Sequence, residues 1–107
     1  MIMECYELNH MTLNPSQRKT LKSLAHHLDT VIHIGKEGFN DRVAHSISEN
    51  LEKRELIKVK FYQHKDDKKQ ISEKIASKTK SELVSIIGNT LIIYKQSNNP
   101  KNRQIKL

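Results

Sequence analysis

One cysteine, two prolines, three glycines and no tryptophan occur in a chain of 107 residues. Cys5 alone cannot close an internal disulfide, so no covalent staple supports the fold, and a reducing, cytoplasmic setting fits. No apolar run approaches the roughly 20 residues a membrane helix needs. The N-terminus also lacks the basic segment and apolar core of an export signal. His10, His26, His27, His33, His45 and His64 show no zinc-type spacing, and the lone thiol is remote from most of them; neither a metal nor another cofactor is indicated. Acidic residues are scarce as well. Against 19 Lys and Arg stand 12 Asp and Glu, which sets the formal charge at +7 and the pI near 9.6. Such a field draws polyanions and makes them the first class of partner to consider.

What the chain does contain is a series of short periodic apolar groups, enough for one domain although only 36% of residues are hydrophobic. Asn14-Pro15-Ser16-Gln17 combines an N-cap, a first-turn proline and a glutamine that can reach back as a capping box. A helix should follow, with Leu21, Leu24, Ala25 and Leu28 inward and Arg18, Lys19, Lys22 and His26 on a polar face of one sign. Thr30 to Ile34 is β-branched and reads as a buried strand. After Gly35-Lys36-Glu37-Gly38, Asn40 should cap a second helix with Val43, Ala44, Ile47 and Leu51 inward. Leu56 to Tyr62 alternates, pointing Ile57, Val59 and Phe61 to a core and Lys58, Lys60 and Tyr62 to a wet, basic face. Asp67 and Gln70 suggest a second capping box, opening a third helix with Ile71 and Ile75 inward. Leu83 to Ile87 and Leu91 to Tyr94 flank Gly88-Asn89-Thr90 as an antiparallel hairpin.

The order is α-β-α-β-α-β-β, an α/β domain with a mixed four-stranded sheet packed with helices, whose strand order the sequence leaves open. Residues 11–96 form the expected domain. Residues 1–10 read as an extension or an upstream start, and residues 97–107, with Lys101, Arg103 and Lys106, as a basic, mobile tail.

Gly35 to Gly38 lies where backbone amides near a helix start can meet a phosphate with no side chain intervening. Two glycines so spaced are common in plain turns. The functional reading gains weight from the cations around it: Arg18, Lys19 and Lys22 on the first helix, Arg42 on the second, and Lys58 and Lys60 on a strand. Among the aromatics Phe39, Phe61, Tyr62 and Tyr94, Tyr62 points with the lysines and is the better candidate to stack on a base. A nucleotide-hydrolysing P-loop is excluded, because no Lys and hydroxyl pair follows the second glycine. No catalytic triad is identifiable.

Leu21-Lys22-Ser23-Leu24-Ala25-His26, Ile34-Gly35-Lys36-Glu37-Gly38, Glu55 to Lys60 and Ile87-Gly88-Asn89-Thr90-Leu91 together resemble the CRM domain family in order and spacing. The resemblance is strongest to its stand-alone bacterial YhbY-type members, which are associated with the large ribosomal subunit precursor. It implies a fold like the C-terminal domain of bacterial translation initiation factor three and a glycine loop that clamps RNA backbone somewhat as in KH domains. By position, Gly35, Lys36, Glu37 and Gly38 become the RNA-contact candidates. Phe39-Asn40 departs from the aliphatic residue and threonine expected after the loop, and Met11-Thr12-Leu13 looks like the usual family start. The expected function is therefore RNA binding without catalysis, on ribosomal RNA or the precursor of the large subunit, by a monomer. The alternative is a non-enzymatic adaptor for an acidic protein.

Overall fold

The computed structural model describes residues 13–103 and 105; the expected N-terminal extension, residues 1–10, and Lys106 lie outside them. Helix α1 spans Pro15–Ala25, and its start is the expected capping box: Asn14 Oδ1 accepts from the Gln17 amide at 2.8 Å while Gln17 Oε1 accepts from the Asn14 amide at 3.1 Å. Pro15 has no amide hydrogen, so two of the three orphan amides of the first turn are satisfied locally. The helix stops at Ala25, three residues short of the end its apolar spacing suggested. Leu21 and Ala25 are buried, but Leu24 and Leu28 remain 44% and 38% exposed.

Strand β1, Thr30–Ile34, is followed by helix α2, Asp41–Arg54, capped by the Asn40 side chain on the Val43 amide. Strand β2 covers Leu56–Phe61, helix α3 Lys68–Thr79, and strands β3, Glu82–Ile87, and β4, Thr90–Tyr94, form the hairpin. Asp67 stands at the start of α3, but its side chain makes no capping bond. A 3-10 turn over Lys65–Asp67 feeds the helix instead. Gly88, at φ +60°, supplies the left-handed corner of the β3–β4 connection. No helix among the described residues is long and apolar enough to cross a membrane.

The sheet order is β1-β2-β4-β3, parallel between β1 and β2 and antiparallel elsewhere. β1 is therefore an outer strand with an exposed His33, not the fully buried strand its composition suggested. The continuous burial of Leu91 to Tyr94 reflects a central strand covered on both sides. On one face α2 and α3 pack Ile47, Leu51 and Ile75 against Ile32, Ile34, Ile57, Val59, Phe61, Leu91 and Ile93. On the other, Leu21 and Ala25 of α1 meet Leu56, Val84, Ile92 and Tyr94. The face expected to be wet is thus half roofed by α1. Tyr94 is buried beneath it and unable to stack on a ligand.

The described residues after Ser97 do not project as a free arm. Ser97 is buried, and its amide donates to Glu55 Oε2 at 2.7 Å. Glu52 Oε1 accepts from the Ser97 hydroxyl and from the amides of Asn98 and Asn99. The Asn102 side chain returns to the Glu52 carbonyl, and Ile105 packs on the α1-side core. Glu55 makes the corner possible: it ends α2 at φ +66° and is wholly buried. A left-handed non-glycine residue costs about 1–2 kcal/mol, which the carboxylate's bonds to the returning chain offset.

Candidate nucleic-acid interface

The carboxyl ends of parallel β1 and β2 and the β3–β4 connection meet at one end of the sheet, because β4 runs against β2 with Lys60 opposite Thr90. Gly35 to Gly38, Tyr62 to His64 and Gly88-Asn89 consequently share that end. Backbone bonds lace them together: the Tyr62 and Gln63 amides donate to the Ile34 carbonyl, and the Phe61 amide to the Asn89 carbonyl.

Gly35-Lys36-Glu37-Gly38 is a closed turn in which the Gly38 amide donates to the Gly35 carbonyl at 3.0 Å. That donor is consumed internally. The turn is also set apart from α2 by Phe39 and Asn40, so it does not form one cradle with the helix start as the sequence suggested. At its tip the amides of Lys36 and Glu37 donate to no acceptor among the described residues. The two glycines have different duties. Gly38, at φ +72°, has the His64 ring 3.4 Å from where a Cβ would stand, whereas a Cβ on Gly35 would meet nothing within 4 Å. Gly38 shapes the turn, and Gly35 leaves its surface open.

His64, which sequence reasoning did not single out for this role, locks the turn from the neighbouring connection. Its Nε2 donates to the Lys36 carbonyl at 2.9 Å, which requires a proton on that nitrogen. Lys68 does the same for the hairpin, donating to the Gly88 carbonyl at 2.6 Å and reaching Asn89 Oδ1 at 3.4 Å. Both contacts join segments 20 or more residues apart, and no local pattern announces them.

The nominated cations separate into three groups. Arg18 is a structural residue: its NH1 donates to the Leu83 and Val84 carbonyls at 2.7 and 3.1 Å, at the irregularity in β3. Lys58 likewise donates to the Leu28 carbonyl at 3.1 Å, closing the chain that leaves α1. Arg42 is exposed, but it sits on α2, which packs on the opposite face of the sheet from α1. Lys19 and Lys22 flank a shallow groove between α1 and β3 together with Val84 and Ser85. Lys60 lies on the same side, its Nζ 5.2 Å from the centroid of the Tyr62 ring. Lys19, Lys22, Lys36 and Lys60 form no ion pair with a carboxylate among the described residues. Nor do those residues contain a group of three or more His, Cys, Asp or Glu able to hold a metal.

Fold and surface together define a small mixed α/β domain with one half-roofed sheet face, edged by unpaired lysines and by a glycine turn with two free amides. Residues 13–95 match the CRS1 / YhbY (CRM) domain, and the chain belongs to that family. It is 43% identical over 96 residues to "Probable RNA-binding protein YqeI" of Bacillus subtilis, covering 89% of this chain and 98% of that one. An "RNA-binding protein" of Haemophilus influenzae is 37% identical over 91 residues, 84% of this chain and 92% of its own. The solution structure of the hypothetical protein SAV1595 from Staphylococcus aureus superposes with a TM-score of 0.74 at 41% identity, covering 89% of this chain and all of the other.

Proposed function

We propose that this protein binds RNA, and specifically ribosomal RNA during assembly of the large subunit, as a non-catalytic module that holds the sugar–phosphate backbone. The observation that carries the reading is a division among the cations. Arg18 and Lys58 are spent on backbone carbonyls, while Lys19, Lys22, Lys36 and Lys60 have no carboxylate partner on the α1 side and at the adjoining turn. Unneutralised lysines beside free amides suit a chain of phosphates. The relatives named for RNA binding support the polymer; the large-subunit setting follows from the family resemblance.

Gly35→Ala is the sharpest test. The substitution meets no atom within 4 Å and no positive φ, so the fold is kept. A methyl group there keeps a phosphate from the turn tip, and affinity for pre-ribosomal RNA fragments should fall at least several-fold at low salt. An acidic protein of equal net charge, titrated in parallel, represents the adaptor alternative. Unchanged RNA affinity in the folded variant removes the turn from the interface. Preference for the acidic protein over RNA overturns the reading.

A further inference from the structure

The register of the sheet draws one row of side chains across all four strands on the α1 side: His33 of β1 beside Lys60 of β2, Lys60 beside Thr90 of β4, and Thr90 beside Ile87 of β3. Helix α1 roofs the other end of this face, over Leu56, Val84, Ile92 and Tyr94, and leaves the row uncovered. Tyr62 stands at its margin, 51% exposed, with the His33 ring 5.2 Å away and tilted 57°, and with Lys60 Nζ over its ring. Phe61 and Tyr94 are buried and Phe39 is packed against the core, so among the described residues Tyr62 is the exposed aromatic side chain other than histidine. Ile87, 53% exposed, closes the row with an apolar surface that no element covers.

We infer that the ligand of this face is single-stranded RNA, with an unpaired base stacked on Tyr62 and its neighbour lying along the row toward Ile87. This rests on the RNA reading above and narrows it. Phosphate recognition alone is served equally by duplex and single strand, but an exposed ring at one end of the row and an exposed apolar side chain at the other offer nothing to a duplex, whose base faces are already stacked on each other. An unpaired base presents a π-face whatever its identity. Lys60 gives up a weak, exposed cation–π contact and turns to the phosphate next to the stacked base. His33 supplies the flank. Three inter-strand steps span about 14 Å, room for about two to four nucleotides.

The chain has no tryptophan, so Tyr62→Trp introduces a single reporter at the stacking position. Titration of the full chain with an unstructured RNA 12-mer should quench that indole fluorescence, with affinity equal to or better than that of the unsubstituted protein. Tyr62→Ala should weaken binding of the 12-mer about tenfold and leave binding of an RNA duplex of equal length unchanged. If Tyr62→Ala binds the 12-mer as the parent does, or loses single strand and duplex alike, the stack is wrong. The RNA reading then still stands, provided Gly35→Ala or Lys22→Ala weakens both. If the parent protein retains neither RNA at low ionic strength, the RNA reading itself is overturned.

Discussion

Replacing Arg18 with alanine separates a structural cation from a ligand-facing one on the same helix turn. The guanidinium is half-buried, and its NH1 bonds two carbonyls of β3 that are 65 and 66 residues away in sequence. A hydrogen bond from a charged donor contributes about 1.5–3 kcal/mol. One nitrogen shared between two acceptors at a partly wet site belongs near the lower end, about 1.5 kcal/mol. For a domain of this size that lowers Tm by about 6–10 °C, readable by circular dichroism. The slope of log Kd against log salt should barely move, because Arg18 neutralises no phosphate. Lys22→Ala is the mirror experiment: Tm stays put, since the side chain is exposed and unpaired, and the salt slope for single-stranded RNA drops by about 0.7. Loss of salt slope without loss of Tm in Arg18→Ala would refute the division of cations on which the interface is built.

Gly38→Ala should cost about 1–2 kcal/mol because its φ of +72° disfavours any side chain; urea unfolding would show it, while Gly35→Ala should be neutral. Glu55→Ala leaves the amides of Ser97 and Ile105 without their carboxylate acceptor and should destabilise by about 2 kcal/mol, with faster amide exchange across residues 97–103. Glu52 is held below the ordinary glutamate value of 4.5, first by the Ser97 hydroxyl and then by the Asn99 and Asn98 amides and Lys95. A carboxyl depressed by folding stabilises fully above its unfolded value and loses that contribution as pH falls through the folded one. The protection of the Asn98 and Asn99 amides, measured relative to unstructured exchange at the same pH, should therefore be high at neutral pH and fall below about pH 4.5. Burial, and secondarily the Glu55 charge, raises Tyr94 above 10.0, so stability should decline once pH passes 10, detected as a falling Tm in alkaline buffer.

Local chemistry was the legible part of the sequence. The Asn14–Gln17 box, the Asn40 cap and the Gly88 corner involve residues within four of one another, and each is found where its pattern placed it. The α-β-α-β-α-β-β order follows from the same local signals. Interactions that cross the chain were not legible. Arg18, Lys19 and Lys22 are equivalent as letters; only the approach of β3 makes the first an anchor and leaves the others open. Periodicity carried α1 through Leu28, but the helix ends where the sheet face it covers gives way to the β1 connection. The cationic tail suggested a loose arm because the acceptors that hold its first residues, Glu55 for the Ser97 amide and Glu52 for the Ser97 hydroxyl and the Asn98 and Asn99 amides, lie more than 40 residues earlier.

The anchoring of Arg18 has a further consequence at the rim of the sheet. An outer strand is a template on which a second polypeptide can lay itself edge to edge, and a polyanion that gathers many copies of a basic protein raises the chance of that encounter. Here the kink in β3 breaks the regular ladder, and a guanidinium fills two acceptors at the kink. At that edge of the sheet an incoming strand finds two acceptors already taken and a positive charge in its way.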